Sequence, residues 1–287
     1  MGAPGASRRL DARVLVLTSA AMAAFAANSL LCRLALGRGG MDPASFTLVR
    51  LGAAVLTLCA IVALRRTTGP LRGTWGGAVA LFAYAAAFSW AYVVLPASTG
   101  ALLLFGAVQG TMVMAGRLRG ERLARMQWTG FLVALGGLIV LLLPGISAPP
   151  IPGALLMLAA GAAWGVYSLM GRDAVDPLLE TAGNFLQAFP MAGAAFALAA
   201  MTGAHQTLDG LLYAVLSGAL ASGVGYAIWY AVLPALSSVQ AASVQLSVPV
   251  LTALAGTLVL GEGLSPRLTI SSVAILGGIA LVIRGRR

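Results

Sequence analysis

The chain has no lysine among its 287 residues and a single histidine, His205. Without lysine there is no P-loop amine to meet a nucleotide phosphate and none to form a Schiff base with retinal or pyridoxal phosphate. One imidazole is too few for a histidine-based metal or haem site. His205 stands in a short loop shortly before Asp209 and reads as a solvated loop residue. The two cysteines, Cys32 and Cys59, show neither metal nor redox spacing and read as packing residues. Charge is scarce too: 9% of residues are charged, against about 25% in soluble globular chains. The eight acids, Asp11, Asp42, Glu121, Asp173, Asp176, Glu180, Asp209 and Glu262, all fall in loops or at the ends of apolar stretches. These absences predict no metal and no cofactor. They also leave no nucleophile beside a base within the apolar stretches, as an intramembrane enzyme would need.

What is present in quantity is apolar surface. Hydrophobic residues make up 60% of the chain and mean hydropathy is +0.94. A helix needs roughly 20 apolar residues to cross the ~30 Å hydrocarbon layer. Runs of that kind cover approximately residues 13–36, 44–64, 74–95, 98–116, 127–143, 152–171, 181–201, 210–232, 236–260 and 267–283. They are long and continuous, unlike the short alternating segments of a barrel, so the expected fold is all-α and integral to a membrane, with ten spans.

Every one of the 18 basic residues is arginine. Arg8, Arg9, Arg13, Arg65, Arg66, Arg72, Arg117, Arg119, Arg122, Arg125, Arg172, Arg284, Arg286 and Arg287 fall on one side of such an arrangement. Only Arg33, Arg38 and Arg267 fall on the other, and Arg50 lies inside a span. By the positive-inside rule both termini are expected in the cytoplasm of a bacterial inner (plasma) membrane protein. The first span follows Arg8 and Arg9 but is too long for a signal peptide. The net charge of +10 is therefore topological, and no nucleic-acid partner is expected.

The chain also repeats itself. Tyr92-Val93-Val94-Leu95-Pro96-Ala97 recurs as Tyr230-Ala231-Val232-Leu233-Pro234-Ala235. Gly120-Glu121 followed by Leu135-Gly136-Gly137 recurs as Gly261-Glu262 followed by Leu276-Gly277-Gly278. Five spans per copy place the second copy upside down relative to the first, the arrangement of carriers that alternate access around a site at the repeat interface. The Pro-rich stretch Pro144 to Pro152 marks the boundary, giving repeats 1–146 and 147–287. Glycine (36 residues) and alanine fill the span interiors, where small residues let helices approach closely in lipid.

Several segments resemble the EamA-type units of the drug/metabolite transporter superfamily. Phe25-Ala26-Ala27-Asn28 with Arg33, and Trp164-Gly165-Val166-Tyr167 with Arg172, resemble that unit's first-span signature. Pro43 followed by Arg50 resembles the start of its second span, and the two Gly-Glu pairs resemble its loop before the fifth. The resemblance implies a central cavity lined mainly by spans 1, 3, 4, 6, 8 and 9. Within the superfamily the layout is similar to bacterial exporters of aromatic amino acids. The copies differ: Pro249 precedes Glu262, but Val108 stands at the matching position before Glu121, and Asn184 stands near where Arg50 would recur.

Candidate substrate-binding residues follow from polarity and aromatic spacing within the spans. Pro249 removes a backbone donor and frees the carbonyl of Gln245, so Gln245 and its counterpart Gln109 are candidate cargo contacts, with interhelical hydrogen bonding as the plainer alternative. Asn28 and its repeat partner Tyr167 sit mid-span, Trp164 shares a face with Tyr167, and Tyr84, Phe88 and Tyr92 form a stripe. Tyr226 is also deep, whereas Trp75, Trp128, Trp229 and Tyr230 read as an interfacial belt. Arg50 is expected either to anchor by snorkelling to the nearer surface or to serve in gating or carboxylate binding. No carboxylate lies at membrane depth to trade a proton for an organic cation. The expected protein is a monomeric carrier of small neutral or zwitterionic metabolites, with amino acids, aromatic ones included, ahead of nucleotide sugars or sugar phosphates, which would require several deep cations, and ahead of a pore or an intramembrane enzyme.

Overall fold

Asp42-Pro43 and Asp176-Pro177 start two helices in the same way. Each aspartate side chain accepts hydrogen bonds from backbone N–H groups of the first turn. Each proline occupies a first-turn position, where its missing N–H costs nothing. Two further helices match as well: Thr74 accepts from the Gly77 N–H, and Thr207 from the Gly210 N–H. These paired caps are a second record of the duplication.

The computed structural model describes residues 11–284 apart from residues 38, 66–68, 119, 121–123, 146–147, 172–173, 202, 237–240 and 242–243. The expectations for Arg8, Arg9, Arg38, Arg66, Arg119, Glu121, Arg122, Arg172, Asp173, Arg286 and Arg287, and for the boundary between residues 146 and 147, lie outside the described residues. Ten helices follow in order: α1 (Ala12–Leu36), α2 (Pro43–Leu64), α3 (Trp75–Val94), α4 (Ala97–Leu118), α5 (Arg125–Leu142), α6 (Ile151–Met170), α7 (Pro177–Ala200), α8 (Leu208–Ala235), α9 (Ser247–Leu260) and α10 (Pro266–Arg284). Eight are long and apolar enough to cross a bilayer. The other two are α7 and α9, the latter with a shorter described stretch.

Helix neighbours obey an exchange rule. α3 packs on α6 as α8 packs on α1, α4 on α6 as α9 on α1, and α3 on α7 as α8 on α2. The pairs α2 with α7, α4 with α9 and α5 with α10 map onto themselves. This is an all-α membrane protein of ten helices, built as two five-helix repeats of opposite topology around an internal pseudo-two-fold axis.

The seam between α5 and α10 shows how small residues set the spacing. A Cβ on Gly278 would lie 2.5 Å from the Gly130 carbonyl oxygen and 2.6 Å from the Ala134 nitrogen. Of the two repeated Gly-Gly pairs, Gly137 and Gly278 face the opposite helix, whereas Gly136 and Gly277 face open space.

At the end of the bundle bearing Glu262, loops from the two repeats are tied together. The Asp42 N–H donates to the His205 carbonyl (3.0 Å), the His205 N–H donates to the Asp42 carboxylate (3.1 Å), and Met41 pairs with Gln206 as an antiparallel bridge. Arg267 at the start of α10 donates to the carbonyls of Leu143 and Pro144 beyond α5.

Candidate functional site

Helices α1, α3, α4, α6 and α8 converge on a cavity of about 20 Å3, room for a single water. Its walls come from both repeats: Phe25, Asn28 and Ser29 of α1, Tyr84 and Phe88 of α3, Leu104 and Phe105 of α4, Trp164 of α6, and Ala221 and Tyr226 of α8. Trp164 is the hub. Its ring stacks on Tyr226 at 5.1 Å with a 16° interplanar angle, and meets Tyr84 at 5.1 Å and Tyr167 at 5.5 Å. Phe25 closes on Tyr226 at 5.7 Å and Phe88 on Tyr84 at 5.4 Å. Rings in contact at these distances stabilise one another beyond their burial, so the aromatic walls meet around this small space.

Behind the aromatic walls runs a polar chain. Ser217 donates to Asn28 Oδ1 (2.7 Å), and Asn28 Nδ2 donates to the Tyr84 hydroxyl (3.3 Å). Arg50 Nη2 donates to that same hydroxyl (3.2 Å), and Arg50 Nε donates to Ser222 Oγ (3.3 Å). The guanidinium carbon lies 5.0 Å from the Phe88 ring centre and 5.2 Å from that of Tyr84.

Arg50 corrects one geometric expectation. It begins ~10 Å along α2 from its first residue, a distance its side chain could nearly span toward the surface, yet it is 1% exposed and turns inward between α3 and α8. Burying a cation at a helix centre costs about 2.5–3.5 kcal/mol on insertion scales. Two ring faces, each contributing about 0.5–2 kcal/mol to a desolvated cation, together with the bonds to Tyr84 and Ser222, offset that cost. No carboxylate pairs with Arg50 among the described residues, and its Nη1 is buried without a hydrogen-bond partner.

The inward seat depends on local features of α8. Residues Ser217–Val224 wind as a π-helix, a form concentrated at functional sites. The widened turns bring Ser217 to Asn28 and Ser222 to Arg50. Gly218 lets the segment lie directly on the α2 backbone, since a Cβ there would run into the Arg50 carbonyl and the Ala53 methyl.

Of the candidates, Asn28, Tyr84, Phe88, Trp164 and Tyr226 come together at the cavity. Tyr167 packs against Trp164 but lines a neighbouring concavity with Tyr230, Glu180, Thr181 and Asn184. Gln109 is buried in α4 without lining either space. Gln245 lines neither, its amide donating to the Ala241 carbonyl four residues earlier at 3.4 Å. Pro249 also stands differently from expected. It falls in the first turn of the described helix Ser247–Leu260, just after a turn at Leu246, a position where no backbone donor is needed. Trp229 is 6% exposed and packs on Phe25, and Tyr230 faces the second concavity, so neither belongs to an interfacial belt. Trp75 and Trp128 are exposed as expected.

Sequence reasoning missed Phe25, Ser29, Phe105, Ser217 and Ser222. One signal was available: Ser217-Gly218 recurs five residues later as Ser222-Gly223, the spacing of π-helical hydrogen bonds.

At the Glu262 end a clamp ties the repeats together. Arg33 of α1 donates to the carbonyls of Tyr92 and Val93 at the end of α3 (3.0 Å each) and pairs with Glu262.

Comparison with known proteins agrees with this architecture. Residues 151–284 match the EamA-like transporter family. An uncharacterized protein of Pseudomonas aeruginosa is 60% identical over 96% of both chains. A probable terminal-alkyne amino-acid exporter of Streptantibioticus cattleyicolor is 29% identical over 74% of this chain and 73% of its own length. A crystal structure 23% identical in sequence superimposes with a TM-score of 0.66, covering 96% of this chain and 99% of that one. Over residues 151–284 this multi-pass membrane protein, which has bacterial relatives, matches the EamA-like transporter family, a family of transporters.

Proposed function

We propose that the protein exports amino acids, aromatic ones foremost, by alternating access. The observation that carries this reading is the central aromatic box, built from both repeats and holding one amide, Asn28, two phenols, Tyr84 and Tyr226, and the Ser29 hydroxyl among apolar walls. Small-molecule sites of this kind combine apolar lining with a few placed polar groups. The relative named as a probable terminal-alkyne amino-acid exporter supports the same cargo class. With one buried arginine and no second deep cation among the described residues, phosphorylated cargo is disfavoured.

In this mechanism the repeats 1–146 and 147–287 rock against each other in the bacterial inner membrane, both termini in the cytoplasm. The Glu262 end then faces outward, and the closed box is an occluded intermediate. Opening toward the outside parts Arg33 from Glu262, and opening toward the cytoplasm parts Trp164 from Tyr226. Asn28, Tyr84, Phe88, Trp164 and Tyr226 contact cargo directly, and Tyr167 lines the approach from the cytoplasm. Counterflow in proteoliposomes, with labelled amino acids, nucleotide sugars and cationic drugs, tests the reading. Saturable exchange of aromatic amino acids is expected. Exchange confined to nucleotide sugars or drugs, or unsaturable flux, would overturn it.

A further inference from the structure

Arg50 is fully buried, lacks a carboxylate partner among the described residues, and keeps Nη1 without a hydrogen-bond acceptor. A guanidinium carries five N–H donors and no acceptor, and a buried donor left unmade is costly. The group is one contact from the cavity, since both rings against which it lies, Tyr84 and Phe88, are cavity walls. The Tyr84 hydroxyl adds a second donor. It accepts from Asn28 and from Arg50, which occupies both of its lone pairs and leaves its own O–H hydrogen to donate. A cation with a spare N–H beside a hydroxyl with a spare proton, facing aromatic walls, matches a carboxylate attached to a flat apolar body.

We propose that Arg50 and Tyr84 form the carboxylate-recognition subsite of the cavity, so that the transporter selects cargo bearing a carboxylate. The inference rests on the amino-acid reading and narrows it. Opening of the aromatic box brings the carboxylate to Arg50 Nη1 and the Tyr84 hydroxyl, supplying the counter-charge that the protein itself does not place there. Ser222 and the two rings hold the guanidinium in position while the site is empty.

Binding to the purified full-length protein in detergent tests this, read by Trp fluorescence and thermal shift. Two matched pairs are used: L-phenylalanine with L-phenylalaninamide, and 3-phenylpropionate with 3-phenylpropanol. The wild type is expected to bind each acid about tenfold or more tightly than its uncharged-carboxyl partner, the range of a charge-assisted hydrogen bond. Arg50→Gln is expected to erase that preference, and Arg50→Lys to keep part of it. If Arg50→Gln does not fold, the wild-type pairs still decide. Equal binding of acid and partner by the wild type overturns the proposal, as does a preference that survives in Arg50→Gln or the absence of binding by any acid. Acids and partners binding alike leave the amino-acid reading standing without the subsite. Arg50-dependent binding of 3-phenylpropionate without phenylalanine supports the subsite and removes the amino-acid reading.

Discussion

Glu262 holds the N-terminus of a helix from the other repeat: both its carboxylate oxygens lie 2.9 Å from the Ala97 nitrogen, the first residue of α4, while Oε1 lies 3.6 Å from Arg33 Nε. One side chain thereby joins the α9–α10 loop to α1 and to the α3–α4 turn. A carboxylate at a helix N-terminus satisfies a free N–H and meets the positive end of the helix dipole.

Glu262→Ala is therefore expected to cost about 0.5–2 kcal/mol, the range for losing an N-cap. Glu262→Gln, which keeps an acceptor for Ala97 and loses only the partly buried ion pair, should cost less. Thermal unfolding in detergent measures both. If the clamp closes the outer path, Glu262→Ala also speeds labelling of a cysteine placed at Ser29 by an impermeant thiol reagent, in a background lacking Cys32 and Cys59. Unchanged labelling would remove the clamp from the gating scheme.

The α5–α10 seam separates glycines that look alike in sequence. Gly278→Ala drives a methyl into the Gly130 and Ala134 backbone, and overpacking of that kind costs about 1–3 kcal/mol. Gly277→Ala, one residue earlier and facing open space, should be neutral or slightly stabilising because alanine favours helix. A midpoint drop confined to Gly278→Ala supports the packing. Equal effects would mean that the helices are not this close.

Asp42 makes the tie to the α7–α8 loop pH-dependent. Burial alone would raise its carboxyl, but hydrogen bonds from the Ser45 hydroxyl and from the backbone N–H groups of Ser45, His205 and Ala44 outweigh it and hold the group below its ordinary value, about 3.9. A lowered folded-state value means the stabilisation is fully present above the ordinary value and is lost as pH falls through the folded one. Asp42→Ala should accordingly destabilise by about 0.5–2 kcal/mol at neutral pH. The gap should persist down to about pH 4 and close below it. Unfolding of both proteins across pH 2 to 7 checks this, and a gap that closed between pH 5 and 7 would contradict it.

Much of this architecture was legible in the sequence because it rests on long-wavelength signals. Apolar runs of bilayer length and duplicated Tyr-x-x-Leu-Pro-Ala and Gly-Glu segments survive without knowledge of side-chain direction. The site was legible where a residue is large and deep, as with Trp164, Tyr84 and Tyr226. It failed where the helix itself departs from α geometry. The π-wound stretch Ser217–Val224 rotates everything around it, which brings Ser217 and Ser222 to the site. The turn at Leu246 changes the meaning of Pro249, and the Gln245 amide bonds back to the Ala241 carbonyl. Arg50 was misplaced for an energetic reason: snorkelling is the cheaper course for a lone arginine, and only the Tyr84 and Phe88 faces and the Ser222 hydroxyl make the inward seat affordable.

Asn28 offers a way to test the electrostatics of that seat without touching Arg50. Asn28 and Arg50 both donate to the Tyr84 hydroxyl, so Asn28→Asp places a near-isosteric carboxylate one hydroxyl away from the unpaired guanidinium. The new pair supplies the counter-charge that the resting protein lacks, and pairing a buried cation is stabilising when the geometry permits. The variant should fold at least as stably as the wild type. Its affinity for phenylalanine and 3-phenylpropionate should fall about tenfold or more as the two carboxylates compete, while 3-phenylpropanol, which carries no charge, should lose much less. Asn28→Ala, which removes the amide without adding charge, should weaken all ligands alike. A variant Asn28→Asp that kept full acid affinity would show that Arg50 does not meet the cargo.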